Sequence, residues 1–127
     1  MVDFMLSRLT HPVYHANIED FSCDESFNGV YASGSLHHLN QDDLIKSLDN
    51  IHSLLVKGGV VFAIFKYGLG SFTDESGRFF NLMTAAKMAG ICNCELLRGK
   101  FELVNTWLDG DLLHRHNQWV SVMLRKL

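Results

Sequence analysis

The side chains most able to do chemistry fall into a few small groups. His37 and His38 are adjacent and flanked by Leu36 and Leu39. A histidine can serve as a general base near neutral pH, yet an apolar-flanked one is more often a hydrogen-bonded structural residue. Lys66, Tyr67 and Arg78 supply two cations and a phenol that could line a small-molecule pocket; otherwise they are ordinary surface side chains. Cys92-x-Cys94 could be half of a metal site. The other half would have to come from His37-His38 or His114-x-His116, and no zinc-like spacing links them, so no metal is expected. Gly68-x-Gly70 follows an apolar run, but Thr73 stands where a third glycine would complete a dinucleotide fingerprint.

The elements that must position these residues alternate in type. Residues 2–9, with Phe4, Met5 and Leu9 apolar, read as a short helix that ends before Pro12. A short strand at 13–15, a polar loop at 17–26 and a strand at Phe27–Ser33 follow. Asn40 is a good N-cap, and Gln41, Asp42 and Asp43 favour a helix start. The spacing of Leu44, Leu48, Ile51 and Leu55 predicts one apolar face on a helix over 41–55, with Gly58 as its stop. The unbroken apolar run 60–65 suits a strand covered on both faces in a parallel sheet. A second helix is expected over 77–89, with Phe79, Leu82, Met83 and Ala86 inward and Gly90 as its stop. Strand formers fill 101–108, Asp109-Gly110-Asp111 turns the chain, and 119–124 returns it. This order predicts an α/β fold whose sheet is mostly parallel with an antiparallel C-terminal edge hairpin.

Composition narrows the partners. The 127 residues suit a single domain; 47% are hydrophobic and 20% charged, as in a globular protein. Eleven basic against fourteen acidic residues leave a net charge of -3 with no basic run, so nucleic acid is a poor partner. No apolar run is long enough to span a bilayer and no export signal opens the chain. A cytoplasmic protein with its three cysteines reduced is expected.

Five tracts, in order, carry a resemblance. Glu25-Ser26-Phe27-Asn28-Gly29-Val30 leads into a strand that ends in small residues and then Leu36-His37-His38. Leu55-Val56-Lys57-Gly58-Gly59-Val60, Phe65-Lys66-Tyr67-Gly68 and Gly77-Arg78-Phe79-Phe80 follow, and Trp119 with Arg125-Lys126 closes the series. The chain from His15 onward resembles class I S-adenosylmethionine-dependent methyltransferases, in the small-molecule branch that includes tellurite-resistance-type enzymes.

The resemblance implies a partial Rossmann-like fold, methyl transfer to a small-molecule acceptor, and S-adenosylmethionine as cofactor. It places Asn17 and Ile18 at the adenine, and Ala32, Ser33, Gly34 and His38 beside the methionine part. Lys66, Tyr67 and Arg78 fall on the acceptor side, and no residue is singled out as catalytic. Asn17 stands where the family usually has an acid, so that contact loses its charge. The glycine-rich turn and the ribose-binding acid have no counterpart upstream of Pro12, which implies a truncated domain over 1–127 that binds the cofactor weakly or not at all. Two strand–helix units of roughly 30 residues each would be lacking. Their loss would bare an edge of Phe27–Ser33, and 13–15 would be the only upstream stretch able to cover it. Self-association through that edge is therefore expected. The alternative to an enzyme is an inactive chain serving as a dimerisation or interaction module.

Overall fold

The computed structural model describes residues 3–7, 13–17, 27–33, 36–111 and 114–127; for 3–7, 13–17, 33, 111 and 114–117 the backbone alone is described. A strand pair opens the chain, β1 (Asp3–Ser7) and β2 (Val13–Asn17). Strand β3 (Phe27–Ser33) leads through a 3-10 turn, Leu36–His38, to helix α1 (Gln41–Leu54) and then to β4 (Leu55–Lys66). A small hairpin follows, β5 (Ser71–Thr73) and β6 (Phe79–Asn81), then helix α2 (Ala85–Cys92). Long strands β7 (Phe101–Asp111) and β8 (His114–Lys126) complete the fold.

Six strands form one sheet in the order β2-β1-β3-β4-β8-β7. The fold is α/β with a mixed sheet and the expected antiparallel edge hairpin, β7 against β8. Parallel pairing, expected through most of the sheet, is confined to β3–β4, the pair that α1 joins by a crossover. The difference arises at the N-terminus. Residues 3–7 form a strand, not the expected helix, and pair antiparallel with both β2 and β3. Met5 opposes Tyr31 and Ser7 opposes Gly29, so the edge of β3 is covered from within the chain. The exposed edge through which self-association was expected is thus occupied, and by residues 3–7 rather than 13–15.

Helix α1 forms for the reasons its sequence gives. The Asn40 side-chain oxygen accepts from the Asp43 amide at 2.9 Å, filling one of the open donors of the first turn. Leu44, Leu48, Ile51 and Leu54 are buried, each worth roughly 1.5–3 kcal/mol. The helix stops at Leu54, short of Gly58, because Leu55 turns extended and pairs with Phe27. The Leu55 amide donates to the His52 carbonyl, and the Lys126 ammonium donates to the carbonyls of His52 and Leu55 at 2.9 and 2.8 Å. Gly58 instead turns the chain inside a bulge of β4, with φ at +81°. Gly59 packs so closely there that a Cβ would lie 2.9 Å from the Val56 carbonyl oxygen.

One core lies on one face of the sheet. Val30, Ala32, Val61, Ala63, Phe65, Val120, Val122 and Leu124 meet α1, and Met88 and Ile91 of α2 join the same cluster. The expectation that β4 is covered on both faces is corrected. Val61, Ala63 and Phe65 are buried, whereas Val60, Phe62 and Ile64 between them are only half-buried. On that second face Tyr31 stacks on Phe62, and Phe62 leans on Trp107.

The second helix is shorter than expected. Residues 77–84 do not form its first half; Phe79–Asn81 pair with Ser71–Thr73, and α2 begins at Ala85 under a Thr84 cap. Gly90, expected as the stop, lies inside it. The segment 109–111, expected as a turn, continues β7. No helix among the described residues is long and apolar enough to cross a membrane.

Candidate functional site

Strands β2, β3 and β4 all end at the same edge of the sheet. Asn17 closes β2, Ser33 closes β3 opposite Ile64, and Lys66 closes β4 opposite Trp119. Ligands of open α/β sheets bind at such carboxyl ends. Strand β1, between β2 and β3, runs the other way and brings its amino end, with Asp3 opposite Asn17, to this edge. Of the cofactor-side positions, Ala32 is fully buried, and Asn17 and Ser33 are placed by their backbone. Ile18 and Gly34 lie outside the described residues.

The 3-10 turn after β3 sets both histidines against the β5–β6 hairpin. His38 Nδ1 lies 2.7 Å from the Phe79 carbonyl oxygen, and its Nε2 lies 3.0 Å from Nε2 of His37. A carbonyl only accepts, so His38 carries its proton on Nδ1 and, when neutral, accepts on Nε2. His37 must then donate from Nε2, which leaves a lone pair on Nδ1. That nitrogen is buried and has no hydrogen-bond partner among the described residues. An unmet buried acceptor costs about 1–3 kcal/mol. Burial, followed by the charges of His38, Lys66 and Arg78, lowers the His37 pKa to about 4, so the ring is neutral at pH 7.

Aromatic rings frame the pair. His37 lies 5.3 Å from the Phe80 ring and 5.9 Å from Trp119. The Lys66 ammonium sits over Phe80, Phe72 and Trp119 at 5.1, 5.5 and 5.8 Å. Cation–π attraction of this kind is worth roughly 0.5–2 kcal/mol and leaves the ammonium's hydrogen-bonding capacity unspent. Among the described residues no carboxylate pairs with Lys66. The cluster grades from Phe72 at 39% exposed to His37 at 4%.

The hairpin is held by its own turn. The Asp74 carboxylate accepts from the Ser76 hydroxyl and amide at 2.7 and 2.9 Å and from Arg78 Nε at 2.9 Å. The bond from Ser76, then that from the Arg78 amide, lowers its pKa to about 2. Arg78 also lies over Phe80, at 5.7 Å. Lys87 of α2 ties the hairpin down by donating to Asn81 Oδ1 at 2.5 Å and to the Leu82 carbonyl at 2.8 Å. Gly68 permits the close approach, since a Cβ there would meet Leu82 at 2.9 Å.

The structure therefore brings His38, Lys66 and Arg78 together around Phe80. Tyr67, the next residue, is exposed, and its amide bonds the Gln118 carbonyl at 2.9 Å. The sequence did not single out Phe72 or Phe80 as site residues, and of the two histidines only His38 carried a site expectation. The signal for the hairpin was present: Ser71-Phe72-Thr73, an Asp-Glu-Ser-Gly turn, then Phe79-Phe80. Cys92 is buried, and burial and then Cys94 push its thiol up to about 11, so it stays protonated. Among the described residues no three His, Cys, Asp or Glu side chains are grouped to hold a metal ion.

Known proteins share this fold. A family model described as a methyltransferase domain matches residues 1–63. No curated protein matches the chain. Among solved structures, the chain is similar to the 1,6-didemethyltoxoflavin-N1-methyltransferase of Burkholderia thailandensis, solved with 1,6-didemethyltoxoflavin and S-adenosylhomocysteine. The TM-score is 0.71 at 19% identity, over 87% of this chain and 48% of that one. It is also similar to the N-methyltransferase NodS of Bradyrhizobium japonicum, solved with S-adenosylhomocysteine, at TM-score 0.58 and 18% identity over 87% and 52%. A S-adenosylmethionine-dependent methyltransferase of Methanosarcina mazei matches at 0.66 and 14% over 88% and 65%. The chain has the fold of these enzymes and spans about half the length of the first two.

Proposed function

We propose that this chain is a S-adenosylmethionine-dependent methyltransferase-family protein whose site at the ends of β2, β3 and β4 serves methyl transfer to a small-molecule acceptor. The observation that carries the reading is the convergence of those three strand ends on one edge, in a chain whose first half matches the methyltransferase domain. The five tracts quoted above support the small-molecule branch that includes tellurite-resistance-type enzymes.

The ends of β2 and β3 suit two flanks of the cofactor, the adenine and the methionine part. Asn17 and Ile18 would take the adenine; Ala32, Ser33, Gly34 and His38 would lie along the methionine part. Ala32 turns its methyl group into the core, so any contact it makes with the cofactor would be through its backbone. Between these flanks, antiparallel β1 presents an amino end, so it cannot lead there into the strand–turn–helix that cradles such ligands. The fit is therefore partial, and the chain by itself binds the cofactor weakly.

When bound, the cofactor supplies an electrophilic methyl group. The chain's own part is to orient the acceptor: Lys66 over its aromatic rings, with Arg78 and Tyr67 nearby, holds it at the end of β4, and Phe80 and Trp119 exclude water. Backbone amide shifts on adding S-adenosylhomocysteine test the assignment. Shifts should concentrate at residues 17, 32 and 33. No shift at millimolar ligand, or shifts confined to the far ends of the strands, would overturn it.

A further inference from the structure

We propose that Nδ1 of His37 and the ammonium of Lys66 form a paired recognition site for a small anionic molecule that also presents an N–H or O–H donor. The proposal deepens the function above by naming the chemical class of the acceptor, and it rests on that reading only for the transfer itself.

Three observations converge. First, Nδ1 of His37 is a buried acceptor without a partner among the described residues. Its proton inventory is fixed by a chain that ends at the Phe79 carbonyl oxygen, because His38 must donate there and accept from His37. An unmet acceptor in such a place is a cost that a ligand donor removes. Second, the ammonium of Lys66 is held by ring faces, without a carboxylate among the described residues, so it can pair with an anion. Third, both groups lie against the same two rings. Phe80 and Trp119 flank His37 at 5.3 and 5.9 Å and carry Lys66 at 5.1 and 5.8 Å.

Exposure falls from Phe72 inward to His37, which sets the direction in which a ligand would enter. Phe72 and half-buried Lys66 stand at the outside, and His37 at the inside. A flat molecule entering past Phe72 meets the cation with its anionic group and His37 with its donor. The groups around the imidazole are His38 from the 3-10 turn, Lys66 from β4 and Arg78 from the hairpin, and all disfavour a protonated ring. His37 is therefore an acceptor across the neutral range.

The test uses pyrrole-2-carboxylate as probe, with furan-2-carboxylate, which lacks the N–H, and pyrrole, which lacks the anion. Binding is measured by calorimetry on the whole chain with no methyl donor present. Pyrrole-2-carboxylate should bind about tenfold tighter than either control, the worth of one hydrogen bond or one ion contact. His37→Phe should erase the preference over furan-2-carboxylate, whereas His37→Asn, which keeps an acceptor, should retain it. Lys66→Met should weaken both acids and leave pyrrole unchanged. If His37→Phe does not fold, the nitrogen-15 resonance of His37 Nδ1 in the unaltered protein decides: it should move with pyrrole-2-carboxylate and not with furan-2-carboxylate. Equal affinity for the two acids, or a preference that survives His37→Phe, would overturn the proposal. Because no donor is present, that failure leaves the methyltransferase reading standing. Absent shifts with S-adenosylhomocysteine would in turn leave this site standing.

Discussion

His37 and His38 have the same side chain, and the difference between them comes entirely from what each nitrogen meets. His38 gives its Nδ1 proton to a carbonyl and receives one on Nε2, so both nitrogens are spent inside the protein. His37 is the deeper of the two and keeps the unspent lone pair. No pattern in the sequence separates them, because the distinction depends on Phe79 arriving from 41 residues away. The depressed pKa of His37 has a stability consequence with a definite sign. The unfolded chain takes up a proton near pH 6.5 and the folded chain only near pH 4. Between these values the unfolded state holds more protons, so stability present above pH 6.5 is lost as pH falls toward 4, by at most about 3 kcal/mol. Denaturant midpoints measured across that window should fall in the unaltered chain and fall less steeply in His37→Phe. Identical slopes would show that His37 titrates in the folded protein as it does in the unfolded chain.

At the scale of elements, legibility followed the strength of local signals. Helix α1 and strand β3 could be read because a cap, an apolar period and flanking turns all agree. The segment 77–84 misled because Phe79, Leu82 and Met83 recur at helical spacing, while its pairing with Ser71–Thr73 is tertiary. Residues 2–9 misled for a related reason. A short apolar stretch takes its form from its neighbours, and here the free side of β3 recruits it as a strand. Because β1 lies between two partners, each interior N–H faces one ladder or the other. Leu6→Pro removes one such donor and should release the edge of β3. The unaltered chain should be monomeric by light scattering, with slow amide exchange over 29–31, and Leu6→Pro should associate as concentration rises. Association of the unaltered chain would mean that β1 does not protect that edge.

Across the whole molecule, the sheet has one sealed face and one half-open face. Core residues of β3, β4 and β8 close the first, while Tyr31, Phe62 and Trp107 line the second. The general α/β plan and the edge hairpin were legible, since alternating strand and helix signals determine them. The sheet order was not, because antiparallel insertion of β1 between β2 and β3 depends on long-range pairing. That insertion also decides the ligand edge. It leaves the ends of β2 and β3 at one edge and separates them by a strand running the wrong way for a glycine-rich turn.

Calorimetric titration of the monomer with S-adenosylhomocysteine tests this account most directly. The chain should give measurable heat with a dissociation constant far weaker than micromolar, because β2 and β3 end at one edge while β1 between them runs the wrong way for a glycine-rich cradle. A micromolar constant would show that β1 and its neighbours hold the cofactor in another way. No heat at millimolar ligand would show that the strand ends do not form a cofactor site at all.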